Sequence, residues 1–175
     1  MVKTQSPPTT VETAQNRPVP SAAQAASQVA IIATSVLAGA VMATWLVELS
    51  LGSPWTEYHQ ATAPAYTVVL PSIGGLALIA ALTALLASWR DPHRRRLLLC
   101  AVAFLLIGLT VTAGVHLPIN DEIASWQSTA PPTDWGQTRD RWLLAHAGRT
   151  SFLIASLVLL VIASHSAASR SYPLD

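Results

Sequence analysis

Four apolar stretches divide the chain, at 29–51, 65–89, 97–115 and 142–163. Each is close to the ~20 residues that an α-helix needs to cross a hydrocarbon core of roughly 30 Å. The pattern predicts an all-α fold, an integral membrane four-helix bundle of up-and-down topology over 28–165. Span one is rich in small residues (Ala33, Ser35, Ala38, Gly39, Ala40, Ala43), which suits close helix packing in lipid. Residues 52–64 read as a loop. Span two carries Pro71 with Ser72, Gly74 and Gly75 behind it, and the missing N–H predicts a bend in its outer half. Span three is plain Leu/Ala/Val up to His116. Pro118 then predicts a kink or restart and a short outer helical segment that ends near Trp126. The run STAPPT at 128–133 is a turn by composition. Asp134 reads as an N-cap with Gln137 three residues on, so the fourth helix starts outside the membrane and runs into it.

Composition agrees with the membrane reading. Charged residues are 11% of the 175, less than half the usual share of soluble domains, and mean hydropathy is +0.43. A net charge of +1 offers no general attraction to nucleic acid, so the expected surroundings are the lipid bilayer. Residues 1–27 are rich in Pro, Thr, Gln and Ala without apolar period, and read as a disordered cytoplasmic tail. A cleaved signal peptide is not expected, because the first apolar run starts late and is too long for one. Residues 166–175 read as a second short cytoplasmic tail. The single cysteine, Cys100, excludes an intrachain disulfide and every multi-cysteine metal site; its apolar setting predicts an inert core thiol. Arg90, Arg94, Arg95 and Arg96 crowd the link between spans two and three, and short loops so charged stay cytoplasmic. Both termini are then inside, with Lys3, Arg17 and Arg170 in agreement. The segments 52–64 and 116–141 face outward, which makes a multi-pass protein of the cell membrane.

The candidate chemistry lies between 116 and 149, where polar residues run straight into lipid-length hydrophobic sequence. An ionisable side chain within a span costs a few kcal/mol on insertion scales, so by default it marks a functional site. His116, Asn120, Arg139, Trp142, His146 and Arg149 form such a set. Arg139, Trp142, His146, Arg149 and Leu153 recur at three- and four-residue steps, which is one helix face. At 1.5 Å per residue, Arg149 lies about 10 Å deeper than Trp142. Up-and-down topology brings Glu48, at the end of span one, and His59, in the first loop, to the same side. Interfacial residues that snorkel to water are the plain alternative. Arg149 fits it least and is expected to pair inside the bundle, with Glu48 as the preferred partner.

Two chemistries use these residue types. In one, His116 or His146 is a general base toward an acidic C–H or phenol, while Asn120 and Arg149 stabilise the oxyanion that forms. Glu48, Arg139 and Trp142 would then contact the substrate, and no cofactor is required. In the other, His59, His116 and His146 with Glu48 hold iron or copper. No dense motif supports that set, which needs four separate elements to converge.

The sequence HLPIN, then DW, then RDRW with a following H and R ahead of an apolar helix, resembles the anthrone-oxygenase-type family of small four-span membrane proteins. The resemblance covers most of 29–163, and its pattern falls on Pro118, Asn120, Trp135, Arg139, Trp142, His146 and Arg149. It implies a monooxygenase that converts a polycyclic anthrone to an anthraquinone with dioxygen, without an evident organic cofactor. Glu48 and His59 lie outside any matched motif. A membrane-embedded oxygenase acting on an apolar aromatic, anthrone- or polyketide-like small molecule is therefore the leading expectation. A non-catalytic accessory or assembly protein, or a metal-dependent oxidoreductase, is the alternative, and homo-oligomerisation stays open. A transporter would need a polar path to the inner side, which spans two and three lack.

Overall fold

In the computed structural model the residues described are 21–52 and 54–168. The expectations for most of the N-terminal tail, and for Lys3, Arg17 and Arg170, lie outside them. Helices α1 (Ala22–Ser50), α2 (Trp55–Ala87), α3 (Pro92–Val111) and α5 (Trp135–Ala168) form the bundle. Between α3 and α5 come a π-helical turn, Thr112–His116, and the short α4, Leu117–Ala124. The described residues contain no strand. Four helices, with α3 to α4 counted as one, are long and apolar enough to cross a membrane. Large hydrophobic side chains stand exposed along all four, as lipid contact requires. The chain is a multi-pass membrane protein.

Local chemistry explains the boundaries. Helix α1 begins at Ala22, within the stretch read as a tail, because Ser21 and Gln24 form a capping box with bonds of 3.3 and 2.8 Å. Asp91 caps α3 by accepting the Arg94 N–H, and Pro92 occupies the first turn, where no N–H is needed. Helix α5 starts directly after Asp134, whose backbone carbonyl accepts the Gln137 N–H. The expected loop 52–64 is shorter than hydropathy suggested. Helix resumes at Trp55 and runs through Pro64 and Pro71. Hydropathy marks where apolar sequence begins, whereas the helix continues through Tyr58, His59 and Gln60.

Each of α1 and α3 packs against both α2 and α5, which closes a four-membered ring. Ala30, Ala38, Ala80, Ala81, Ala84 and Ala101 line the seams, so backbones approach closely. Gly74 is such a contact: a Cβ there would meet Leu109 Cδ2 at 3.0 Å. Polar ties cross between helices, from Ser156 Oγ to the Ala101 carbonyl (2.9 Å) and from Arg94 to Ser27 Oγ (2.8 Å). Arg94 is thus a buried strut from α3 to α1 rather than one more free charge of the arginine group. Cys100 is exposed on the bundle surface, not in the core, because it lies on the face of α3 opposite the buried Leu98, Ala101 and Val102. A second apolar cluster, built on Trp55, Ile119, Ile123, Trp142 and Leu143, closes the end of the bundle opposite the start of α1 and the end of α5.

Candidate functional site

The polar set lies just beneath that tryptophan-rich cluster. Glu48, His59, His116, Trp142, His146 and Arg149 are each at least 93% buried. The π-helical turn helps bring His116 there. The Leu117 N–H bonds back to the Thr112 carbonyl, so one extra residue is wound into the turn, ahead of the proline that lacks a donor. The expected restart near Pro118 is thus a π-turn that passes directly into α4.

Trp142 is the hub. Its ring centroid lies 5.1 Å from that of His59, 5.4 Å from His116 and 4.5 Å from His146. The His116 and His146 rings are themselves 5.4 Å apart. Trp142 Nε1 donates to Asn120 Oδ1 at 3.0 Å. Indole nitrogen only donates, so the orientation of the Asn120 amide follows: Oδ1 faces Trp142, and the Nδ2 group remains as its donor. His59 Nε2 lies 3.1 Å from the same Oδ1 and so must donate to it. The other ring nitrogen, Nδ1, is 3.1 Å from Glu48 Oε2, which also accepts from Trp55 Nε1 at 2.8 Å. Glu48 and His59 therefore form a buried hydrogen-bonded pair, with Trp55 on the carboxylate and Trp142 against the imidazole.

The tautomer of His146 follows in the same way. Its Nε2 is 2.8 Å from the Val41 carbonyl, which can only accept, so Nε2 carries the hydrogen. The lone pair is then on Nδ1, and an Arg149 Nη2–H donates to it at 3.0 Å. Arg149 also donates from Nη1 to Thr112 Oγ1 at 3.2 Å, while its buried Nε has no partner. No ion pair among the described residues involves Arg149. The expected pairing with Glu48 is not formed, because Glu48 is taken by His59 and Trp55. The Arg149 guanidinium, 93% buried, thus makes its direct contacts with a hydroxyl and an imidazole rather than with a carboxylate.

His116 differs from the other two histidines. Its Nδ1 is 3.4 Å from the Val111 carbonyl and donates to it. Its Nε2 is buried and has no partner. It is the imidazole whose basic nitrogen is free.

Glu48, His59, His116, Asn120, Trp142, His146 and Arg149 all line one cavity of about 60 Å³, with apolar walls from Leu37, Leu70, Leu105 and Leu153. That is space for several waters and far below the roughly 300–1,000 Å³ of ordinary ligand pockets, so a ring system needs the walls to part. Arg139 stands outside the cavity. It caps α1 by donating to the carbonyls of Glu48, Leu49 and Leu51 at 3.4, 3.2 and 2.9 Å. The structure places it at the end of α1 rather than at the cavity wall. Trp55 and Thr112 were not singled out in the sequence. The only hint was a tryptophan seven residues past a glutamate at a helix end.

The metal alternative requires His59, His116, His146 and Glu48 to turn lone pairs toward one point. Among the described residues no group of three His, Cys, Asp or Glu side chains is disposed to hold a metal ion. The reason lies in the bonding. Both nitrogens of His59 are engaged, by Glu48 and Asn120, the free pair of His146 accepts from Arg149, and only His116 has an unengaged nitrogen.

A family described as anthrone oxygenase matches residues 63–159, more than half of the chain. The match includes His116, Asn120, Arg139, Trp142, His146 and Arg149 and begins after Glu48 and His59. No curated protein and no solved structure matches the chain.

Proposed function

The chain belongs to the anthrone oxygenase family, and from that premise we propose that it is a membrane-embedded oxygenase for an apolar, anthrone- or polyketide-like aromatic substrate. The observation that carries the reading is the pair of groups with unsatisfied nitrogens at one cavity: His116, whose Nε2 is free, and Arg149, whose buried Nε has no partner and whose guanidinium makes no direct ion pair among the described residues. A base and an oxyanion site are what the deprotonation of a C–H activated by a carbonyl needs.

The chemistry is as follows. His116 Nε2 takes one proton from the substrate methylene, and the charge moves to the carbonyl oxygen, held by Arg149 with the Nδ2 group of Asn120 as second donor. Electrons pass from the carbanion to dioxygen and a C–O bond forms. The peroxide anion recovers the proton from His116. Removal of the second methylene proton by His116 breaks the O–O bond, and the departing hydroxide leaves as water. One oxygen atom ends in the new carbonyl and the other in water, so no further reductant is needed. His146 is a positioning residue, because its lone pair is engaged by Arg149. The Glu48–His59 pair positions Asn120 through its carbonyl oxygen. The apolar walls keep water from the carbanion.

The arginine group at 90–96 supports an orientation in the cell membrane with both termini cytoplasmic and the cavity in the outer leaflet. An apolar substrate would partition there from lipid.

Purified protein in lipid nanodiscs, given an anthrone, is expected to take up one dioxygen per anthrone and yield the anthraquinone well above the protein-free rate. Turnover is expected to survive exhaustive chelation. A rate equal to the protein-free control overturns the proposal, and stoichiometric iron or copper that is lost in His116→Ala would favour the metal alternative.

A further inference from the structure

The cavity that holds His116 and Arg149 is too small for three fused rings, and the space that would extend it is next door. A groove of about 280 Å³ lies between α2 and α4. His59, Ala63, Thr67 and Asn120 line both the groove and the cavity. Those four residues are a shared wall, and Ala63, with only a methyl group, is its thinnest part.

The backbone is weakest at the same place. Pro64 and Pro71 both lie inside α2. Each removes a helical hydrogen bond, freeing the carbonyls of Gln60 and Thr67. Such interruptions are tolerated at membrane depth where the helix borders a cavity or is re-satisfied by neighbours. The other wall of the groove, α4, follows directly on the π-turn and is fastened to α2 at its far end. Gln60 Nε2 donates to the carbonyls of Ile123 (2.7 Å) and Trp126 (3.0 Å). A proline-softened helix thus faces a short segment that is tied down at its tip.

We propose that the groove between α2 and α4 is the route by which the aromatic body of the substrate reaches the cavity, and that it holds part of that body during reaction. Ala63 and Thr67 set the width of ring system that passes. The inference rests on the oxygenase reading for the nature of the ligand, a flat apolar ring system with a carbonyl at its leading edge. That carbonyl would meet Arg149 while the trailing rings stay in the groove.

The test uses the full chain with the exposed Cys100 replaced by serine. In that background A63C is alkylated by a membrane-permeant maleimide with and without anthraquinone, a ring-matched product. Anthraquinone is expected to slow alkylation at least tenfold, and to leave A61C, on the exposed side of the same turn, unaffected. In turnover, A63W is expected to lower kcat/KM for a three-ring anthrone by about 30-fold or more, with A61W close to wild type. Alkylation of A63C that anthraquinone does not change, or A63W with wild-type kcat/KM, overturns the route. Protection of A63C in a protein that turns over no anthrone keeps the route and removes the oxygenase reading. Because the protection measurement needs no turnover and no bulky residue, it decides even if A63W fails to fold.

Discussion

Trp142 Nε1 donates to Asn120 Oδ1 across 3.0 Å, and this one bond sets the polarity of the network around it. Because indole cannot accept, the asparagine must present its carbonyl to Trp142 and His59. Its remaining donor is then the amide group available to a substrate oxygen. Trp142→Phe keeps the ring among the three histidines but removes the donor. It is expected to lower kcat about tenfold with little change in KM, the pattern for an interaction made in the transition state. An unchanged kcat in steady-state assays would show that the amide orientation does not matter.

Arg149 makes no direct ion pair among the described residues, as the proposed oxyanion role requires. Arg149→Lys retains charge but loses the planar fork that reaches Thr112 and His146 together. It should cost roughly 10²-fold in kcat/KM, in the range of a lost oxyanion donor, and Arg149→Met more. Binding of an anionic enolate-like analogue, followed by calorimetry, should weaken in the same order. Equal affinity across the three proteins would contradict the assignment.

Much of this arrangement was visible in the sequence. Four spans, the outer segment after Pro118 and the stripe Trp142–His146–Arg149 follow from apolar period and helical spacing. What failed depended on partners far apart in the chain. Hydropathy placed His59 in a loop, although it sits on the first turns of α2, and that removed the true partner of Glu48 from view. Arg139 shares the stripe of the cavity residues, yet it is about two turns nearer the helix start than His146 and meets the end of α1 instead. The division of labour among the histidines could not be read from residue types. It depends on which nitrogen meets a carbonyl.

Arg139 is expected to act on stability rather than on chemistry. Its three bonds reach backbone carbonyls where α1 ends and the chain turns toward α2. Arg139→Ala should destabilise the protein by about 1–3 kcal/mol, as for hydrogen bonds to a charged group, while kcat of the remaining folded protein changes by less than about threefold. Thermal unfolding in nanodiscs, read beside active-site-normalised turnover, separates the two effects. A large kcat loss at unchanged stability would return Arg139 to the substrate site.

Orientation has its own check. Single cysteines introduced as His93→Cys and Thr133→Cys, in a background without Cys100, report on the two ends of the bundle. An impermeant maleimide on intact cells is expected to label position 133 and spare position 93. The reverse pattern would invert the topology and place the cavity in the inner leaflet.

The central claim is that the free nitrogen of His116 is the base. Dioxygen uptake with an anthrone, measured on purified wild type, His116→Ala and His146→Gln, tests it most directly. Glutamine keeps one donor for Val41 and one acceptor for Arg149, so His146→Gln should lose no more than about tenfold, whereas His116→Ala should lose about 10²-fold or more. Wild-type uptake by a folded His116→Ala, or a loss in His146→Gln that exceeds it, would contradict the account.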